Sequence, residues 1–239
     1  MIINLRPGRY RSSFHHAFRG FGLTIVDCEM LHPEPVLVGP VVPDDYDLLI
    51  LTSPMATDFL PDRAALRRLP ILAVGAATAA AARQVGFADV QAAAGDARSL
   101  ADVFAASPYK RALYLSAQEP ACDLETRFPG RVHRRAIYRM VERTEVPDTV
   151  ASAIESADRI LIPIYSRRTG VAFAAAAARS GLMHALAARA TAVGISRRTT
   201  TITAPPWRQV VIAEAPTEAA IVAAAQRVMP AIPSRSSAL

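Results

Sequence analysis

The feature that most constrains this chain is a unit that occurs twice. Residues 158–178 read DRILIPIYSRRTGVAFAAAAA, and residues 47–59 read DLLILTSPMATDF. Each opens with apolar residues that do not alternate with polar ones. A strand with one wet face alternates and a strand covered on both faces does not, so each run predicts a strand of a parallel sheet packed between helices. Each run then meets a turn of small or cationic residues, Thr52-Ser53-Pro54 or Ser166-Arg167-Arg168-Thr169-Gly170, and a helix start. The chain beyond each helix start also matches: an AVG strand at 73–75 and 192–194, a Ser/Thr-containing turn, a short strand at 90–93 and 210–213, and a last helix. The pattern is a domain-level duplication of one α/β unit.

With 239 residues there is enough chain for two domains, each burying its own core. Residues 2–5 and 23–28 read as strands and 12–19 as a helix. Residues 31–43 are proline-rich and without periodicity, an extended crossing segment. Residues 134–143, RRAIYRMVER, interleave apolar residues with charged ones. That predicts an exposed antiparallel strand, the return partner of the crossing segment. The expected architecture is two similar parallel-sheet α/β/α domains joined by a two-stranded β linker, with a ligand cleft between them. The expected boundaries are 1–36 plus 143–231 for a discontinuous first domain and 39–135 for the second. Residues 37–38 and 136–142 are the linker strands, and 232–239 a frayed polar tail.

The net charge of +6 and isoelectric point near 9.9 favour anionic partners in general, nucleic acid, phosphate or polycarboxylate alike. The basic residues are scattered, with no arginine block and no aromatic–basic alternation. They read as an ordinary solvated surface, and no nucleic-acid partner is expected. Cys28 and Cys122 lie outside any CxxC spacing, which favours a reducing compartment and argues against disulfides and zinc. The N-terminus is charged too early for a signal peptide, and no apolar run reaches the ~20 residues of a membrane helix. A cytoplasmic protein without membrane contact is expected. There is no GxGxxG, GxxxxGK[ST], HExxH or GxSxG, and adjacent His15 and His16 do not share a helix face. No metal or organic cofactor is expected.

What remains is a set of strand-end turns rich in hydroxyls and arginine: Arg6, Ser53, Thr78, Ser116, Ser166 to Thr169, and Ser196 to Thr201. In doubly wound sheets the carboxyl ends of the strands line the ligand crevice. Hydroxyls, guanidiniums and free backbone N–H groups there suit a ligand with many carboxylates. Any one of these turns reads as readily as a helix cap. Their recurrence in both halves favours a ligand.

Taken in order, LTSP at 51–54, AVG-x-ATA at 73–79, AIYR around Tyr138, YSRRTG at 165–170, AVGIS at 192–196 and W-x-x-VVIA-x-x-PT at 207–217 resemble the uroporphyrinogen-III synthase family over nearly the whole chain. The resemblance implies two α/β domains with a two-stranded linker. It implies a cofactor-free lyase that cyclises hydroxymethylbilane, a linear tetrapyrrole polycarboxylate, to uroporphyrinogen III with inversion of ring D and loss of water. It implies Tyr138 as the catalytic residue that assists departure of the ring A hydroxyl. Arg6, Ser53, Thr78, Ser116, Ser166, Arg168, Thr169, Ser196 and Thr199 are the expected substrate-binding residues. The upstream partner would be hydroxymethylbilane synthase, and the chain a monomer. Three motifs depart from the family pattern: Arg167 stands where the turn usually has proline, Met55 follows TSP, and Ser116-Ala117 replaces a frequent Arg-Gly. The alternatives are a bilobal anion-binding module and an inactive paralogue.

Overall fold

A computed structural model of the chain describes residues 1–37, 39–120, 122–201 and 207–229. The expected tail at 232–239 and residue 38 of the expected linker lie outside the described residues. The strands, in chain order, are β1 (Ile2–Asn4), β2 (Ile25–Asp27), β3 (Leu31–Pro35), β4 (Leu48–Leu51), β5 (Ile71–Ala73), β6 (Val90–Ala92), β7 (Ala112–Ala117), β8 (Val132–Glu142), β9 (Ile160–Ile164), β10 (Ala190–Gly194) and β11 (Gln209–Ile212). Contacts divide the chain into two compact units. Unit 1 takes Met1–His32 together with the chain from Val141 onward, and unit 2 is Pro33–Met140.

Unit 1 carries a five-stranded sheet in the order β11-β10-β9-β1-β2, and unit 2 a six-stranded sheet in the order β3-β8-β7-β4-β5-β6. The duplication is visible in these orders. Counted from β9 and continuing through β1 and β2, the strands of unit 1 run 3-2-1-4-5. Counted from β4, those of unit 2 run 3-2-1-4-5 as well, with β3 added at the edge. Every pairing within these two five-strand sets is parallel. The AVG segments occupy equivalent places, next to the first strand of each set.

The non-alternating runs are strands buried on both faces. Ile160, Ile162 and Ile164 pack on one side of the unit 1 sheet with Ile3, Leu5, Phe173 and Trp207. Leu161 packs on the other with Ile2, Phe14, Phe18 and Ile221. In unit 2, Leu48, Ile50, Leu72 and Tyr114 face Leu100, Phe104 and Leu124. Leu49, Leu51, Leu113 and Leu115 are equally buried. Side-chain caps start the helices after the strands: Asp96 accepts from Ser99 N at 2.7 Å, Asp123 from Thr126 N at 3.1 Å and Thr217 from Ala220 N at 3.2 Å. Each cap satisfies one of the amides that a helix N-terminus leaves unpaired.

The proline-rich segment supplies β3, which borders β8. Arg143 N donates to Met30 O at 2.9 Å, Arg139 pairs with Glu34 at 2.8 Å, and Val36 N donates to Ile137 O at 3.0 Å. One partner's number falls as the other's rises, so the pair is antiparallel. Pro33 and Pro35 fit because an edge strand leaves amides without ladder partners. The expectation of β8 as an exposed strand needs correction. From Val132 to Tyr138 it pairs parallel with β7 inside the sheet, and consecutive Ile137 and Tyr138 are both buried. The break in alternation has a local cause. Ser116 pairs with Ala136 but Ala117 with Tyr138, so Ile137 is one residue extra, a β-bulge that re-aims the side chain after it.

Candidate functional site

In a 3-2-1-4-5 sheet the direction of winding reverses between the first and fourth strands. The carboxyl ends of those two strands open a crevice. In unit 1 the pair is β9 and β1, in unit 2 β4 and β7. Arg6 lies two residues beyond β1 and Ser166 two beyond β9. Ser53 lies two beyond β4, and Ser116 is next to the last residue of β7. Thr78, Ser196 and Thr199 come after the adjacent strands β5 and β10, and Tyr138 sits on β8 beside β7. The structure thus gathers the expected residues into one set on each unit, all at carboxyl ends.

In unit 1 the centre of the set is Arg6. Its guanidinium lies 4.2 Å from the ring centroids of both Tyr10 and Tyr165, and its Nη1 donates to Glu218 at 2.7 Å. The side chain keeps 19% of its surface exposed. A planar cation held between two aromatic faces and tied at one nitrogen has lost most of its rotamer freedom before any ligand arrives. Tyr165 donates to the same Glu218 oxygen at 3.4 Å. Burial first, and the carboxylate second, hold its phenol above the ordinary tyrosine range. Below Arg6, the buried Asn4 accepts from Arg6 N at 3.1 Å and donates to Asp27 at 2.7 Å. Asp27 also meets Arg11 and His15, each at 3.1 Å.

The flanking turns of unit 1 are closed by their own side chains. Ser166 accepts from Thr169 N at 3.4 Å, and Arg167 Nε donates to Thr201 O at 3.1 Å. Arg168 Nε donates to Glu142 at 3.1 Å. The Thr199 hydroxyl accepts from Ser196 N at 3.3 Å and donates to Ser196 O at 2.7 Å. Gly194, last residue of β10, makes this turn possible. A Cβ there would overlap Thr200 Cγ2 and lie 2.9 Å from Thr199 Oγ1 and 3.1 Å from Ser196 O. Gly75 does the same at the equivalent place in unit 2, where a Cβ would lie 2.9 Å from Gly95 Cα.

In unit 2, Ser53 accepts from Met55 N at 3.1 Å and so caps a 3-10 helix, Pro54–Asp58. Thr78 and Ser116 are buried. The Ser116 hydroxyl donates to Ala117 O at 2.9 Å and accepts from Arg134 Nη1 at 3.1 Å. Arg134 also donates to Ala117 O at 3.1 Å, so the cation reaches the end of β7 from β8. Thr52 shares a 3.0 Å hydrogen bond with the phenol of Tyr114 across β4 and β7. Burial raises the pKa of that phenol, and the Thr52 bond opposes the rise. Tyr138 is 4% exposed. Its ring stacks on Phe59 with centroids 5.3 Å apart and planes 19° from parallel.

Several of these partners escape a reading of motifs. Tyr10, Asn4, Asp27, Glu218, Arg134 and Phe59 belong to no turn of hydroxyls. Glu218 has the one legible signal, an acidic residue in the first turn of the helix capped by Thr217. Chemically, each set offers cations, hydroxyl dipoles and helix-start amides at a strand edge, which suits anionic groups. Among the described residues, no group of three or more His, Cys, Asp or Glu could hold a metal ion, and no helix is long and apolar enough to cross a membrane.

A family model described as uroporphyrinogen-III synthase HemD matches residues 12–223. Among solved structures, the uroporphyrinogen-III synthetase of Helicobacter pylori has 15% identity and a TM-score of 0.60, over 85% of this chain and 93% of that one. That likeness is one of fold. A mutant uroporphyrinogen III synthase from Thermus thermophilus has 18% identity and a TM-score of 0.49, over 95% and 97%. No curated protein matches the chain.

Proposed function

Because the chain belongs to the uroporphyrinogen-III synthase family of lyases, we propose that it closes hydroxymethylbilane to uroporphyrinogen III and inverts ring D as it does so. The observation that supports this most is the repeated set of cationic and hydroxyl turns at the carboxyl ends of equivalent strands in the two units. A linear tetrapyrrole carries carboxylates along its length, and cationic and hydroxyl turns suit such groups. In the reaction the C–O bond of the ring A hydroxymethyl group breaks, and the hydroxyl takes up a proton and leaves as water. The azafulvene cation left behind is attacked by the substituted carbon of ring D. The spiro intermediate then reopens, the macrocycle closes at the unsubstituted α-carbon of ring D so that this ring is inverted, and that carbon loses a proton in place of the one the hydroxyl took up, for a net loss of one water.

Such a reaction needs an oriented chain and a stabilised leaving group more than a nucleophile. Tyr138 is our candidate for the leaving-group donor, since a neutral phenol has one O–H to give. Arg6 and Arg168, with the helix-start amides at Ser53, Ser166 and Ser196, are our candidates for the carboxylates. The hydroxyls of Thr169 and Thr199 belong to the same turns. Thr78 and Ser116 are buried, so on this reading they act by holding the turns in place. We place the protein in the cytoplasm as a monomer, fed by hydroxymethylbilane synthase. Elution near its 25.6 kDa mass on a sizing column checks the monomer.

The test is a coupled assay in which the protein receives freshly generated hydroxymethylbilane, the products are oxidised, and the isomers are separated. Type III in excess over the type I isomer that forms spontaneously is the expected result. Type I alone, from protein with a cooperative melting transition, would overturn the proposal in favour of an anion-binding or inactive protein.

A further inference from the structure

We infer that Phe59 is a positioning residue for Tyr138, and that the turn after β4 serves the reaction by carrying Phe59 to it. The inference rests on Tyr138 being the leaving-group donor and adds a residue that no motif singles out. Its ground is what fixes the orientation of the phenol. The backbone at Tyr138 is held from both sides of β8. Gln118 N donates to Tyr138 O at 2.7 Å, and Val36 N donates to the neighbouring Ile137 O at 3.0 Å. With the bulge at Ile137, these bonds set where the Tyr138 side chain leaves the strand. They do not set the plane of its ring. Rotation of an aromatic ring about its second torsion has a broad, shallow profile, so packing against the ring face decides the plane.

Phe59 supplies that packing. Its ring lies nearly parallel to the phenol, 19° away at a centroid distance of 5.3 Å. The O–H bond of a phenol prefers the ring plane, so the plane fixes the directions in which the proton is offered. Hydrogen bonds weaken steeply once the donor angle falls below about 120°. A ring turned away from its proper plane would therefore still fill its place but deliver its proton poorly. Phe59 carries no polar atom that could compete for that proton.

Phe59 is itself held. Its amide donates to Ala56 O at 3.2 Å, closing the Pro54–Asp58 3-10 helix that Ser53 caps. Within that helix the buried Thr57 donates its hydroxyl to Pro54 O at 2.8 Å, and Arg63 holds Thr57 O at 3.2 Å. Met55 and Ala56 are buried beneath it. The turn read from the sequence as a ligand contact is thus also a mount for an aromatic ring.

The test compares wild type with Phe59→Leu, Phe59→Tyr, Tyr138→Phe and the double variant Phe59→Leu/Tyr138→Phe, reading kcat, KM and the ratio of type III to type I product. Leucine keeps apolar bulk and removes the flat face. The expected result is a kcat about tenfold or more below wild type in Phe59→Leu, the scale on which small misplacements of a reacting group act, with KM within about twofold. Phe59→Tyr recovers most of the rate, and in the Tyr138→Phe background Phe59→Leu has no further effect. Should Phe59→Leu melt without a cooperative transition, Phe59→Met carries the same comparison. Wild-type kcat in a folded Phe59→Leu, or an equal loss in the Tyr138→Phe background, overturns the inference. Full activity in Tyr138→Phe instead defeats the reading of Tyr138 itself, and no type III from wild type defeats the proposed reaction.

Discussion

Replacing Gly194 by alanine should destabilise unit 1 and disturb the Ser196–Thr199 turn together. Gly194 does not sit in the left-handed region of backbone space, so alanine meets no torsional strain there, and stiffening the unfolded chain would by itself stabilise by ~0.4–1 kcal/mol. Space decides the sign. The new Cβ overlaps Thr200 Cγ2 and lies 2.9 Å from Thr199 Oγ1 and 3.1 Å from Ser196 O. Thr200 is 9% exposed and β-branched, so its methyl has little freedom to swing aside. Thr199 is held by two hydrogen bonds to Ser196. Overpacking of this kind costs ~1–3 kcal/mol, which leaves a net loss of roughly 0.5–2 kcal/mol. For a chain of this size that corresponds to a fall in Tm of about 1–8 °C. The control is Thr200→Ser, which removes the offending methyl and keeps the hydroxyl that donates to Arg197 O at 3.1 Å. Alone it should cost ~0.8 kcal/mol for the lost methyl. Combined with Gly194→Ala it should cost about 1 kcal/mol less than the sum of the two, because the overlap with the methyl is gone while the close approach to Thr199 Oγ1 remains. Thermal unfolding followed by calorimetry and circular dichroism gives the cycle. A Gly194→Ala protein as stable as wild type, or strict additivity with Thr200→Ser, would refute the steric argument.

Gly75→Ala should be the harsher relative, ~1–3 kcal/mol, because its Cβ meets the backbone of Gly95, whose own φ of +107° excludes a side chain; no single substitution at residue 95 should rescue it in the same melt. Charge reversal at Arg168 should raise KM for hydroxymethylbilane with little change in Tm, since its partner Glu142 is half exposed; an unchanged KM counts against that turn as a carboxylate site. The thiol of Cys28, buried and with its pKa pushed from 9.0 to about 12, keeps its proton in the folded state where the unfolded chain loses it. Stability should therefore fall as pH rises from about 9 towards 12, by up to ~1.4 kcal/mol per pH unit for this group. Denaturant titrations of Cys28→Ala should show a shallower alkaline decline; an identical decline assigns the effect to other groups such as Tyr114 and Tyr165, whose phenols burial also raises.

The strands, their parallel pairing and the duplication were legible because burial on both faces of a sheet leaves unbroken apolar runs in place of alternation. Residues 48–51 and 160–164 read as doubly covered strands, and two copies of one unit must repeat their turns. The family likeness was legible for the same reason, since its motifs are those turns. Tertiary structure decided what the turns do. Ser53, Ser166 and Thr199 read alike as ligand hydroxyls or helix caps, and only their hydrogen bonds to Met55, Thr169 and Ser196 show that each closes its own turn. Arg6 read as a lone cation, but strand order carries it between Tyr10 and Tyr165 and against Glu218, 212 residues away. The charged residues interleaved through 134–143 pointed to an exposed strand. A single extra residue opposite β7 turned Tyr138 inward on to Phe59. Side-chain period records which face a strand buries. It does not record register, bulges or partners distant in sequence, because those depend on which strand comes to lie alongside.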